Sequence, residues 1–196
     1  MRTGSVKRET FETKIELRLD LDGSGAANIV SGVGFLDHML TLFSFHSGMD
    51  LFVRCEGDTH VDAHHSVEDI GIALGRAISE ALSDRAGIVR YGNFLLPMDE
   101  ALVLCALDIS GRCHVNFDVA MPCTKVGEFD TELVKEFFVA VSRGLGLTLH
   151  VKRIAGENAH HIIEACFKGF GRALREAVRV DEKMGGRTPS SKGTIL

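Results

Sequence analysis

The segment DAHHSVEDIGIALGRAISEAL, beginning at Asp62, returns as NAHHIIEACFKGFGRALREAV, beginning at Asn158, with paired histidines at 64/65 and again at 160/161. The offset of 96 residues from His64 to His160 divides the 196-residue chain into two related halves. Duplication of this kind is a strong constraint on the fold, because whatever unit one half forms the other must form too. No linker long enough to make the halves independent separates them. Residues 1–92 and 93–196 are therefore expected to be two halves of one compact unit.

Both copies of the repeated segment read as amphipathic helices. Val67, Ile70, Leu74, Ile78, Ala81 and Leu82 in the first, and Ile163, Phe167, Phe170, Leu174 and Val178 in the second, recur at three-and-four spacing. Ahead of each lies a strand-like run, LFVRCEG from Leu51 and LTLHVKRIAG from Leu147, and ahead of that a shorter helical pattern, FLDHMLTLFSF or ELVKEFFVAVSRG. Each half opens on extended segments, FETKIELRLD with GAANIVSGVG and ALVLCALDIS with GRCHVNFDVA. The turn signals DLDGSG at 20–25 and ISGR at 109–112 divide these into expected hairpins. The order strand, strand, helix, strand, helix predicts an α+β protein of two related sheet-and-helix layers.

Apolar residues make up 45% of the chain and charged residues 25%, which favours a packed core over disorder. No apolar run approaches the roughly 20 residues of a membrane-spanning helix. A net charge of −5 without a basic stripe argues against nucleic-acid binding, whose affinity depends on neutralising phosphates. The start, MRTGSVKRETFETK, has no hydrophobic core behind its basic residues and does not read as a signal peptide, so the cytoplasm is the expected compartment. Five scattered cysteines without a CxxC pair are expected to stay reduced.

The histidine motifs carry the chemistry. In HHxxE on a helix, the first histidine and the glutamate lie one turn apart on the same face, so His64 with Glu68 and His160 with Glu164 can each hold one metal ion. Adjacent helical positions differ by about 100°, so His65 and His161 point elsewhere, and a second ion is the economical explanation. One such motif alone reads more readily as a capped, solvated helix start; two at equivalent points of a duplicated chain favour the metal-binding interpretation. The duplication also pairs His38, in FLDHML, with Glu136, in LVKEFF, as further ligands. The resulting set is His38, His64, His65, Glu68, Glu136, His160, His161 and Glu164. Imidazole and carboxylate without thiolate suit manganese, iron, cobalt, nickel or zinc, among which ligand type does not choose. His60, His114 and His150 read as ordinary strand or loop residues, with His46 intermediate. The tail MGGRTPSSKGTIL, by composition, reads as a frayed terminus.

Taken together, GFLDHML (34–40), DAHHSVEDIGIALG (62–75), RYGNFLLPMDEAL (90–102), DISGR (108–112), GENAHHIIEACFKGFGRALR (156–175) and PSSKGTIL (189–196) resemble the imidazoleglycerol-phosphate dehydratases in order, spacing and length. The resemblance implies a tandem repeat of a four-stranded mixed sheet packed with two helices, assembled through trimers into a cubic shell of 24 subunits with active sites between them. It implies two manganese ions per active site, held by His38, both histidine pairs, Glu68 and Glu164. Many members carry a histidine where this chain has Glu136, which leaves one ion's donor set in question.

For the substrate, the resemblance implies contacts from Glu12, His38, His46, Arg90, Arg112, His161, Lys168, Ser190, Ser191 and Lys192, chiefly to a phosphate, and so turns the tail from a frayed end into a clasp. Guanidinium and ammonium groups suit a phosphate dianion. The implied reaction is the loss of water from D-erythro-imidazole-glycerol phosphate to give imidazole-acetol phosphate in histidine biosynthesis. The hydrogen removed lies beside the imidazole ring and not beside a carbonyl, so the ring must take up the charge. Glu12 is expected to be the acid/base group, with Glu68 and Glu164 as alternatives. Two other readings compete: a dinuclear metallohydrolase acting on a phosphate ester, and an assembly in which metal only staples subunits together.

Overall fold

The computed structural model describes residues 1–195. Strands β1 (Thr3–Glu9), β2 (Thr13–Asp20) and β3 (Ala27–Val30) are followed by helix α1 (Gly34–Ser47), strand β4 (Asp50–Gly57) and helix α2 (His64–Leu82). The second half repeats the plan with β5 (Tyr91–Met98), β6 (Ala101–Asp108), β7 (His114–Asp118), α3 (Leu133–Leu145), β10 (Thr148–Ala155) and α4 (Ala159–Val178). A small hairpin, β8 (Lys125–Val126) and β9 (Phe129–Asp130), is inserted before α3. The two four-stranded sheets have equivalent orders, β1-β2-β4-β3 and β5-β6-β10-β7. Each is mixed, with β3 parallel to β4 and β7 parallel to β10. The chain is α+β, a duplicated sheet with two helices per half.

Two local expectations are corrected. Each half has three strands of its four-stranded sheet before its first helix where the residue pattern gives two: β1 and β5 are additional. Both are edge strands, and their composition reflects it. Residues of β1 are mostly polar and only Gly4 is buried, while β5 carries Gly92, Asn93 and Pro97, tolerated where one side of the ladder is free. Second, the DLDGSG and ISGR turns do not close hairpins, since β4 lies between β2 and β3, and β10 between β6 and β7. The hairpins are β1–β2 and β5–β6. A parallel neighbour requires a crossover, and α1 and α3 supply it.

Edge strand and long helix meet at matching glycines. A Cβ at Gly4 would lie 2.0 Å from the Ala77 carbonyl oxygen of α2, and one at Gly92 would lie 1.9 Å from that of Ala173 on α4. No side chain fits there.

The alternation of β2 and β6 points Ile15, Leu17 and Leu19, and Val103, Cys105 and Leu107, onto the helices. The helices then pack crosswise between halves, α1 against α4 and α2 against α3. Phe43 of α1 stacks on Phe170 of α4 with ring centroids 5.6 Å apart, and Phe138 of α3 lies 5.4 Å from Phe170 and 5.1 Å from Phe167. These fully buried rings make one core continuous through both halves. Among the described residues, no helix is long and apolar enough to cross a membrane.

Candidate functional site

The crosswise packing decides which motif residues meet. His38 sits in the second turn of α1, and α1 lies on α4, so it faces the motif of the other half. His38 Nε2 is 3.7 Å from Glu164 Oε2, and His160 Nε2 is 3.3 Å from the same oxygen. His38, His160 and Glu164 each offer one donor atom to a common space. A divalent ion about 2.1 Å from each donor would place neighbouring donors about 3 Å apart, so the group fits such an ion with little adjustment. Glu164 is 7% exposed, and its other oxygen, Oε1, accepts from Lys168 Nζ, which leaves Oε2 for a metal. Burial works against ionisation of this carboxylate, but Lys168, His160 and His38 outweigh it and its pKa lies below the ordinary value.

Local sequence sets the frame. The Asn158 side chain accepts from the backbone N–H groups of His160 and His161, starting α4. Asp62, its repeat counterpart, accepts from the His64 N–H at 2.7 Å. On α2, His64 Nε2 lies 3.7 Å from Glu68 Oε2, and Arg143 of α3 reaches the other oxygen of Glu68 at 3.4 Å.

The second histidine of each pair turns away, as adjacency on a helix requires, and each meets carboxylates. His65 Nδ1 bonds Asp58 at 3.0 Å and its Nε2 lies 3.6 Å from Glu12. His161 Nδ1 bonds Glu100 at 2.8 Å and its Nε2 lies 3.7 Å from Asp99. These hydrogen bonds raise both histidine pKa values. Glu100 also accepts from the Asn158 and Glu157 backbone N–H groups; with the His161 bond first among the causes, its pKa is lowered to about 2.

Asp58, Asp99 and Glu100 were missed in the sequence. The signal was present for two of them: Glu12 occupies the β1–β2 turn, so the matching β5–β6 turn, which carries Asp99 and Glu100, was the place to look.

The expected substrate contacts divide into groups. Arg90, Arg112, Ser190, Ser191 and Lys192 line one cavity of about 390 Å³, bounded also by Ser110 and Pro189. The tail therefore folds back on the second half; the last residue of the PSSKGTIL motif, Leu196, lies outside the described residues. Lys168 stands instead at Glu164, with Met98 sulfur 3.6 Å away. His46 is nearby, and its pKa is lowered by burial and by Arg172 and Lys168. Glu12 is half exposed. Glu136, on α3, lines a separate cavity with Phe117, Cys123 and Lys135. Among the described residues only His38, His160 and Glu164 gather closely enough to hold one ion.

Comparison with known proteins places this arrangement. The family model for imidazoleglycerol-phosphate dehydratase matches residues 31–174. The imidazoleglycerol-phosphate dehydratase of Synechococcus sp. (strain CC9902) is 55% identical over 195 residues, covering 100% of this chain and 97% of the relative. That of Dinoroseobacter shibae is 55% identical, covering 100% of both. The crystal structure of imidazoleglycerol-phosphate dehydratase from Staphylococcus aureus superposes with a TM-score of 0.83 at 44% identity, over 91% of this chain and 99% of that one. With the match extending over the whole sequence and the same two-half fold, this chain belongs to the imidazoleglycerol-phosphate dehydratase family.

Proposed function

We propose that the protein dehydrates D-erythro-imidazole-glycerol phosphate to imidazole-acetol phosphate, in histidine biosynthesis in the cytoplasm, with two Mn²⁺ ions per active site. The observation that carries this reading is the convergence of His38, His160 and Glu164 from opposite halves of a chain of this family, with Lys168 fixing the carboxylate. A bound divalent ion supplies Lewis acidity to the imidazole ring, lowering the cost of charge on it.

The chain's own residues supply the rest. Arg90, Arg112, Ser190, Ser191 and Lys192 hold the phosphate in the tail cavity, whose donors suit a dianion. Glu12 moves the carbon-bound proton as acid/base group, with Glu68 and Glu164 as alternatives. His64, His65, Glu68, Glu136 and His161 complete the ligand set. In one chain these residues stand in separate groups, and Glu12 faces solvent. That separation supports sites completed between subunits, in trimers built into a 24-subunit shell. Residues 1–92 and 93–196 act in this scheme as one unit, each bringing one histidine pair.

The test is turnover by metal-stripped protein with and without added manganese, following ketone and free phosphate together. Ketone formed only with manganese, without phosphate release, is the expected result. Phosphate without ketone would identify a hydrolase, and neither product from assembled, metal-loaded protein would leave metal a structural role.

A further inference from the structure

Arg90 is committed before any ligand arrives. Its Nε donates to Asp108 Oδ1 at 2.6 Å and its Nη2 to Asp108 Oδ2 at 3.0 Å, while Nη1 donates to the Pro189 carbonyl at 2.8 Å. The guanidinium carbon also lies 4.9 Å from the centre of the Tyr91 ring. Its backbone is equally fixed: the N–H donates to the Ala177 carbonyl at 2.8 Å, the carbonyl accepts from Ile109 N–H at 3.1 Å, and φ is +78°, a left-handed conformation that a non-glycine side chain adopts only under constraint. The side chain is 13% exposed. Three of its five N–H donors are thus fixed on the protein and one on each Nη is left for a ligand, so Arg90 braces the tail while still lining the cavity.

What it braces is the tail. Pro189 immediately precedes Ser190, whose hydroxyl accepts from Lys192 N–H at 3.2 Å, forming the turn that faces Ser110 and Arg112 across the cavity. Asp108 ends β6, and its own carbonyl accepts from Ser110 N–H at 2.8 Å. One aspartate thus reaches both walls, one through its side chain and Arg90, the other through its backbone.

We infer that Asp108 is a positioning residue for anion capture: by holding the Arg90 fork it sets the Ser190–Lys192 turn against Arg112, so that the cavity accepts a phosphate-monoester dianion. The inference rests on reading this cavity as the seat of the substrate phosphate. Bidentate pairing has a geometry that an amide cannot reproduce, because one carboxylate oxygen is replaced by a donor facing another donor.

The test uses Asp108→Asn in the full-length, metal-loaded protein, with inorganic phosphate as the calorimetric probe. Phosphate affinity should fall by about tenfold or more. In turnover, KM for the phosphorylated substrate should rise with kcat within about twofold, and handling of the unphosphorylated triol, imidazole glycerol, should not change. Unchanged phosphate affinity in a folded variant, or an equal loss with both substrates, would overturn the inference. If Asp108→Asn does not fold, Arg90→Lys decides: it keeps the charge but loses the fork, and wild-type phosphate affinity in that variant would overturn the inference. A wild-type protein that binds no phosphate also overturns it, whatever ketone it forms. Phosphate binding that Asp108→Asn abolishes, in a protein making no ketone, would sink the proposed reaction and leave this inference standing.

Discussion

His160 and Glu164 share a helix face by spacing alone, but the third donor, His38, comes from the far half of the chain and depends on how α1 lies against α4. Glu164→Gln removes the charge that two imidazoles and Lys168 converge on. Manganese affinity, measured calorimetrically on stripped protein, should fall at least about tenfold. Glu12→Gln should lower kcat by about 10²- to 10⁴-fold with KM little changed, the usual range for general acid–base catalysis. Full turnover by this variant would end the assignment. Charge alone did not say which acids matter. Asp58, Asp99 and Glu100 look like loop carboxylates until the fold sets them beside His65 and His161.

At the scale of elements, the four helices and the inner strands follow from periodicity, whereas the edge strands escape it: β1 is mostly polar, and β5 has exposed apolar residues interrupted by Gly92, Asn93 and Pro97, with no regular alternation. Their place depends on backbone proximity at glycine. Gly92→Ala would push a Cβ into the Ala173 carbonyl, and urea unfolding should show a loss of about 1–3 kcal/mol.

The loop before β3 offers a pH test. Asp50 accepts from Ser24 N–H at 2.7 Å, Ala26 N–H at 2.8 Å and the Ser24 hydroxyl, and the Ala26 and Ser24 backbone bonds hold its pKa below the ordinary 3.8. A depressed folded value means these bonds stabilise fully above the unfolded pKa and are lost as pH falls through the folded one. Asp50→Asn should therefore lower Tm at neutral pH, and its gap from wild type should narrow below pH 3.8. A gap independent of pH would rule out the carboxylate as its source.

Across the whole molecule, the shared phenylalanine core ties the two halves together. Phe138→Ala should cost about 3–5 kcal/mol and still give one unfolding transition, since Phe138 lies in the buried cluster that runs through both halves. Chelation of metal should reduce the size of the proposed 24-subunit assembly in light scattering; a particle indifferent to chelator would separate assembly from metal. The duplication, the helix faces and the α+β class were legible in the sequence, because each is a property of local spacing and residue chemistry repeated twice. The sheet order, the crosswise helix packing, the split of the expected substrate contacts between Glu164 and the tail cavity, and the Asp108–Arg90 pairing were decided only by the tertiary structure. Each of these joins residues far apart in the chain, and a local pattern says which face a side chain takes but not which distant face comes to meet it.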